Sequence, residues 1–155
     1  MAIESQRTAE GTGSDRVRQF SVFLENKVGA LCEIVKLLNR HHVEVVAFSV
    51  QDSADSSIVR LIVSDPDRVA NLFDEFGIPF QAVNLVVVEL REAAQLAQML
   101  TCLVMAEVNI HFSYPLMVRP GGRAAIAMHV EDDDCTCAVL LSHGFTLLSQ
   151  EDISR

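Results

Sequence analysis

Four cysteines, five histidines and an Asp-rich tetrad are the side chains of this 155-residue chain that most invite chemistry. Cys135-x-Cys137 could be half of a metal site. Both thiols fall in the first turns of a helix, however, where i and i+2 point to different faces. No second cysteine pair or suitably spaced histidine completes the four ligands that zinc takes. Cys32 and Cys102 lie in amphipathic patterns and read as small core or boundary residues. Glu131-Asp132-Asp133-Asp134 lacks the alternating ligands and glycine of a calcium loop. Its place before a helix suits stabilisation of the helix dipole instead. His41-His42 closes a helix, where a partly protonated imidazole is favourable. His111, His129 and His143 fall in different elements, with no serine or cysteine nucleophile readable beside them. No metal, cofactor or catalytic residue is expected.

Backbone chemistry is the better prospect, in the stretch Glu25-Asn26-Lys27-Val28-Gly29-Ala30-Leu31. A strand ends here, Gly29 permits a turn that other residues resist, and a helix begins. N–H groups at a helix N-terminus carry partial positive charge and lack partners, which suits a carboxylate. Glu25 or Asn26 would hold the ammonium or amide of the same ligand, a free amino acid. The same stretch would also serve as a plain tight turn capping a helix, and the residues alone leave both readings open.

The elements around that turn follow from periodicity. RQFSVFLE, from Arg18 to Glu25, is rich in Phe and Val as a strand should be. Leu31, Ile34, Val35 and Leu38 recur at helical spacing. Val43 to Val50 and Ile58 to Ser64 read as two strands joined by a hairpin. Asp65-Pro66 opens a second helix that Gly77 closes. A fourth strand follows from Phe80, completing a β-α-β-β-α-β order, the split βαβ unit.

The second half repeats the first. A shift of 65 carries Leu31, Ile34 and Leu38 onto Leu96, Met99 and Leu103, and Val43 and Val45 onto Val108 and Ile110. Beyond the hairpin a shift of 67 carries Val59, Leu61 and Val63 onto Ile126, Met128 and Val130, and Gly77 onto Gly144. Two matched units follow, with domains expected over 18–84 and 85–155 behind a disordered tail over 1–17. They leave no linker, so AVNLVVVEL should be one strand shared between them. Pro115 removes a ladder donor and belongs on an edge strand. VVAFSV, IVRLIV and LVVVEL are apolar on both faces, which antiparallel sheets half in water are not. Helices cover one face; a second sheet, from the other unit or another chain, must cover the other, and a homodimer is the simplest expectation.

These residues resemble the ACT domain, a small-molecule-sensing module of amino-acid metabolism. Phe23-Leu24-Glu25-Asn26-Lys27-Val28-Gly29-Ala30-Leu31 is similar to the family's strand, polar loop, "PGxL" turn and helix, and Ser64-Asp65-Pro66 to its later helix start. Val28 departs from the usual proline. In the second copy Arg91-Glu92-Ala93-Ala94-Gln95-Leu96 stands in the loop, with alanine in place of the glycine. The resemblance implies an α+β fold of two ferredoxin-like βαββαβ units in tandem, antiparallel sheets with helices on one face. It implies ligands seated between adjoining units, with the start of a neighbouring second strand contributing, which singles out Glu44 and Asn109.

A net charge of −9 disfavours nucleic acid and anionic membrane surfaces. No apolar run spans a bilayer, and MAIESQRTAEGTGSDR lacks the apolar core of a signal peptide, which points to the cytoplasm and reduced thiols. The resulting expectation is a non-catalytic regulatory module binding an amino acid, or alternatively a dimerisation scaffold with no ligand. An acylphosphatase-like enzyme would need an arginine in ENKVGAL, which has none.

Overall fold

The computed structural model describes residues 16–25 and 29–154. The first unit runs β1 (Val17–Glu25), α1 (Ala30–Arg40), β2 (Val45–Asp52), β3 (Ser56–Val63), α2 (Pro66–Glu75) and β4 (Gln81–Leu90). The second begins on β4 and continues through α3 (Ala94–Met105), β5 (Ile110–Pro115), β6 (Ala124–Val130), α4 (Asp133–Ser142) and β7 (Thr146–Leu148). A five-residue helix, α5 (Gln150–Ser154), closes the described chain and was not legible in the periodicity. Most of the tail expected over 1–17 lies outside the described residues. Val17 does not belong to it: this valine is fully buried in β1 and pairs with Leu85.

All pairings are antiparallel, in the order β2-β3-β1-β4-β6-β5 with β7 also on β4. β4 is the shared strand. Its first half, Gln81 to Leu85, pairs with β1, and its second half, Val86 to Leu90, pairs with β6. Pro115 ends β5 at the edge of this order, where its missing donor costs no ladder bond.

Alternation along the strands sorts side chains between two faces. On β1, Phe20 and Val22 point to the helices and join Leu38, Leu61, Val69 and Phe73 in one core. Val86, Val88, Met99, Leu103, Met128 and Leu140 form its counterpart in the second unit. Both second-helix starts are capped alike: Asp65 accepts the Arg68 N–H at 3.2 Å and Asp132 accepts the Cys135 N–H at 2.9 Å.

The opposite strand faces meet each other. Val17, Val46, Ala47, Ile62, Leu85 and Val87 pack against Tyr114, Leu116, Ala125, Ala127 and Ile153 in a third core, a seam between the two units. The sheet that covers the helix-free face therefore comes from the same chain, and this seam needs no second copy to close it. Three polar features weld it. A bulge between Val45 and Ala47 accompanies a Val46 carbonyl that accepts the Met117 N–H at 2.8 Å. The Tyr114 hydroxyl donates to Gln19 Oε1 at 2.5 Å, both groups being buried. Gln150 of α5 accepts the Arg18 N–H at 3.1 Å and donates to the Val63 carbonyl at 3.1 Å, tying off the end of the β1–β3 ladder.

Candidate functional site

The Gly29 turn has the backbone geometry that the sequence suggests. Gly29 sits at φ +92°, the left-handed region, as the N-cap of α1, with no side chain capping the helix among the described residues. A β-carbon there would meet nothing within 4 Å, so glycine is required by backbone strain and not by crowding. The first i→i−4 bond is donated by Glu33 to the Gly29 carbonyl at 2.9 Å. The N–H groups of Ala30, Leu31 and Cys32 come before it, as in any helix start. Leu31 packs against the core beneath α1. Glu25 ends β1 opposite Ser56 and is exposed. Asn26, Lys27 and Val28 lie outside the described residues.

The equivalent turn of the second unit is built differently. Ala93, the residue before α3, has right-handed helical geometry, and Gln95 Oε1 accepts the Arg91 N–H at 2.6 Å.

Glu44 and Asn109 are equivalents across the repeat. Each stands just before a second strand and exchanges a backbone bond with the end of the third: Ser64 N–H to the Glu44 carbonyl, and Glu131 N–H to the Asn109 carbonyl, both at 3.0 Å. Side chains reinforce both junctions, Ser64 Oγ accepting the Glu44 N–H and Asn109 Nδ2 donating to Glu131, each at 2.9 Å. Neither reaches the Gly29 turn within the chain. Glu44 is separated from it by the length of α1, roughly 16 Å at 1.5 Å per residue. Continued across the strands, the registers place Asn109 near the level of Val83 and Gln19, six strand residues from Glu25, roughly 20 Å along the sheet.

Burial is the main cause of the shifts among the titratable groups. Burial pushes the Cys137 thiol upward, against the pull of Arg16, so it is not a primed thiolate. Among the described residues no group of His, Cys, Asp and Glu could hold a metal ion. Burial also raises the Tyr114 phenol, with Arg60 opposing.

Sequence reasoning missed one cluster altogether. Arg60, on β3, lies 4.0 Å above the Phe112 ring of β5. The Phe112 ring lies tilted beside His129 of β6 at 4.9 Å between centroids, and His129 lies 5.2 Å from His111. Their sequence separation hid this grouping, although alternation along β5 and β6 could have placed Phe112 and His129 on the seam face.

A tandem pair of βαββαβ units, joined by a shared strand and packed face to face, is the architecture on which the comparisons with known proteins bear. The profile of the ACT domain pair family matches residues 15–155, and the chain belongs to that family. The chain is similar to protein BT0572 from Bacteroides thetaiotaomicron, at 26% identity and a TM-score of 0.81, covering 90% of this chain and 96% of that one. The fold is also that of the ligand-free regulatory subunit of aspartate kinase from Thermus thermophilus: TM-score 0.55, 11% identity, coverage 84% and 93%. The corresponding subunit from Thermus flavus gives 0.51, 12%, 83% and 92%. No curated protein matches the chain. No helix of the described residues is long and apolar enough to cross a membrane.

Proposed function

We propose that the chain senses a free amino acid in the cytoplasm, binding its carboxylate at the Gly29 turn. The observation that carries this reading is the contrast between the two turns: Gly29 is left-handed, whereas Ala93 has right-handed helical geometry and the Gln95 side chain folds back to accept the Arg91 N–H. The Ala30 and Leu31 N–H groups would receive the carboxylate. Glu25, with Asn26, Lys27 and Val28, would line the rest of the pocket. The two domains are taken as residues 18–84 and 85–155. The aspartate kinase regulatory subunits that share the fold lend the reading its context.

Glu44 and Asn109 join the site only across copies, since one chain holds both far from Gly29. The homodimer follows from the site in this reading, and not from the need to cover a sheet. Ligand would then favour one arrangement of adjoining copies, which a partner protein reads.

A thermal-shift panel of the twenty amino acids tests it. A ligand at 100 times its Kd adds about 2.7 kcal/mol, a shift of several degrees for a chain of this size. Gly29→Asp, which adds bulk and negative charge at the cradle, should abolish the shift while far-UV circular dichroism stays native. A full shift in that variant would move the site elsewhere. A flat panel would leave the ligand-free scaffold as the function.

A further inference from the structure

The repeat makes the Arg60–Phe112–His111–His129 cluster stand out. The shifts of 65 and 67 that align the two units carry Val46, Ala47 and Ile62 onto His111, Phe112 and His129. The structure supports that equivalence, because Ala47 pairs with Ile62 as Phe112 pairs with His129, and a bulge precedes each pair. In the first unit the three positions are apolar, with exposures of 1%, 0% and 0%, and belong to the seam core. In the second unit the same three positions carry two imidazoles and an aromatic ring. Packing alone does not call for that exchange, since the first copy closes its own end of the seam with aliphatic side chains.

Arg60 reaches this end from the opposite unit. It is half-buried, its guanidinium carbon lies 4.0 Å from the centre of the Phe112 ring, and one N–H donates to Gln51 Oε1 at 3.1 Å. No carboxylate pairs with it among the described residues. Asp133, the acid that acts on His129, is held by Arg16 at 3.0 Å. A half-buried cation without a counter-ion is an unusual feature on a chain of net charge −9. A guanidinium seated on an aromatic ring keeps its planar fork of donors available for a carboxylate or phosphate, and imidazoles add further donors.

We propose that Arg60, His111 and His129, gathered on Phe112 where the two units meet, form a binding site for a small oxyanion carried by a carboxylated or phosphorylated metabolite. Arg60 belongs to the first unit and the histidines to the second, so the bound anion bridges the seam. The site is separate from the Gly29 turn, and it stands or falls independently of that reading.

The test is an NMR titration of the full chain, labelled at the histidine rings, with inorganic phosphate and with succinate, each against sodium chloride at equal ionic strength. The expected result is a saturable shift of the His111 and His129 resonances with phosphate or succinate and none with chloride. Saturation by phosphate identifies the ligand group as phosphoryl, and saturation by succinate identifies it as carboxylate. Arg60→Met should weaken binding at least tenfold, as should His111→Gln, whose exposed side chain can change without disturbing the core. Arg60→Lys, which keeps the charge but loses the fork, should also weaken it. Gly29→Asp should leave the response intact. Equal responses to phosphate, succinate and chloride would overturn the proposal. So would wild-type binding in His111→Gln or in folded Arg60→Met.

Discussion

Tyr114→Phe removes a single oxygen from the seam and tests whether the two units are welded into one body. The Tyr114 hydroxyl donates to Gln19 Oε1 at 2.5 Å, and Gln19 is fully buried, its amide nitrogen turned to Ser21 Oγ at 3.2 Å. Without the hydroxyl, Oε1 loses its only donor among the described residues, in a place too dry for bulk water to substitute. Stranding a buried acceptor costs about 1–3 kcal/mol, against a few tenths for the change in apolar area. At a central value of about 2 kcal/mol, Tm should fall by about 6 °C for a chain this long. Gln19→Leu should be comparably damaging, because it strands the hydroxyl instead. The double variant removes both partners and should recover about 1–2 kcal/mol relative to the sum of the single changes. Urea denaturation followed by circular dichroism, checked against calorimetry, measures all three. A Tyr114→Phe loss below about 0.5 kcal/mol, or strict additivity in the cycle, would refute the claim that this bond joins the units.

Two further outcomes follow from the same geometry. Burial, then His111, and with them Arg60, hold the His129 imidazole below its ordinary range, while Asp133 pulls the other way. Its folded pKa lies below the unfolded value of about 6.5, so its contribution is present above that pH and lost as pH falls through it. Between pH 7 and pH 5 the Tm of wild type should therefore drop more steeply than that of His129→Gln, and parallel slopes in differential scanning fluorimetry would contradict this. Asp132→Ala removes the carboxylate that accepts the Cys135 N–H at the start of α4. A stability loss of about 1 kcal/mol is expected, read as a drop of about 2–4 °C in Tm, and no change would mean that Asp133 or Asp134 takes over the cap.

Much of the fold was readable because it rests on local periodicity. Asp65-Pro66 and Gly77 bracket α2 by cap chemistry that needs no tertiary partner. AVNLVVVEL, claimed by the end of one unit and the start of the next, forms the single strand β4 that pairs with β1 and then with β6. α5 escaped notice because five residues carry too little period to read, and it is held by Gln150 and Ile153 through contacts with distant strands. At the Gly29 turn, glycine before a helical pattern announced the left-handed residue. The distance from that turn to Glu44 and Asn109 was not readable, since it depends on strand register.

By itself the amino-acid sequence determined the two βαββαβ units, their shared strand and the glycine turn, because hydrophobic period, caps and turn residues act over a few neighbours. It also required that the helix-free faces be covered, since strands apolar on both sides cannot stand in water. Tertiary structure alone decided that the cover comes from within the chain, and that Arg60 lies over Phe112 beside two histidines 51 and 69 positions further along. Such contacts depend on how two twisted sheets meet, a geometry set by packing over the whole seam and written in no single stretch of residues.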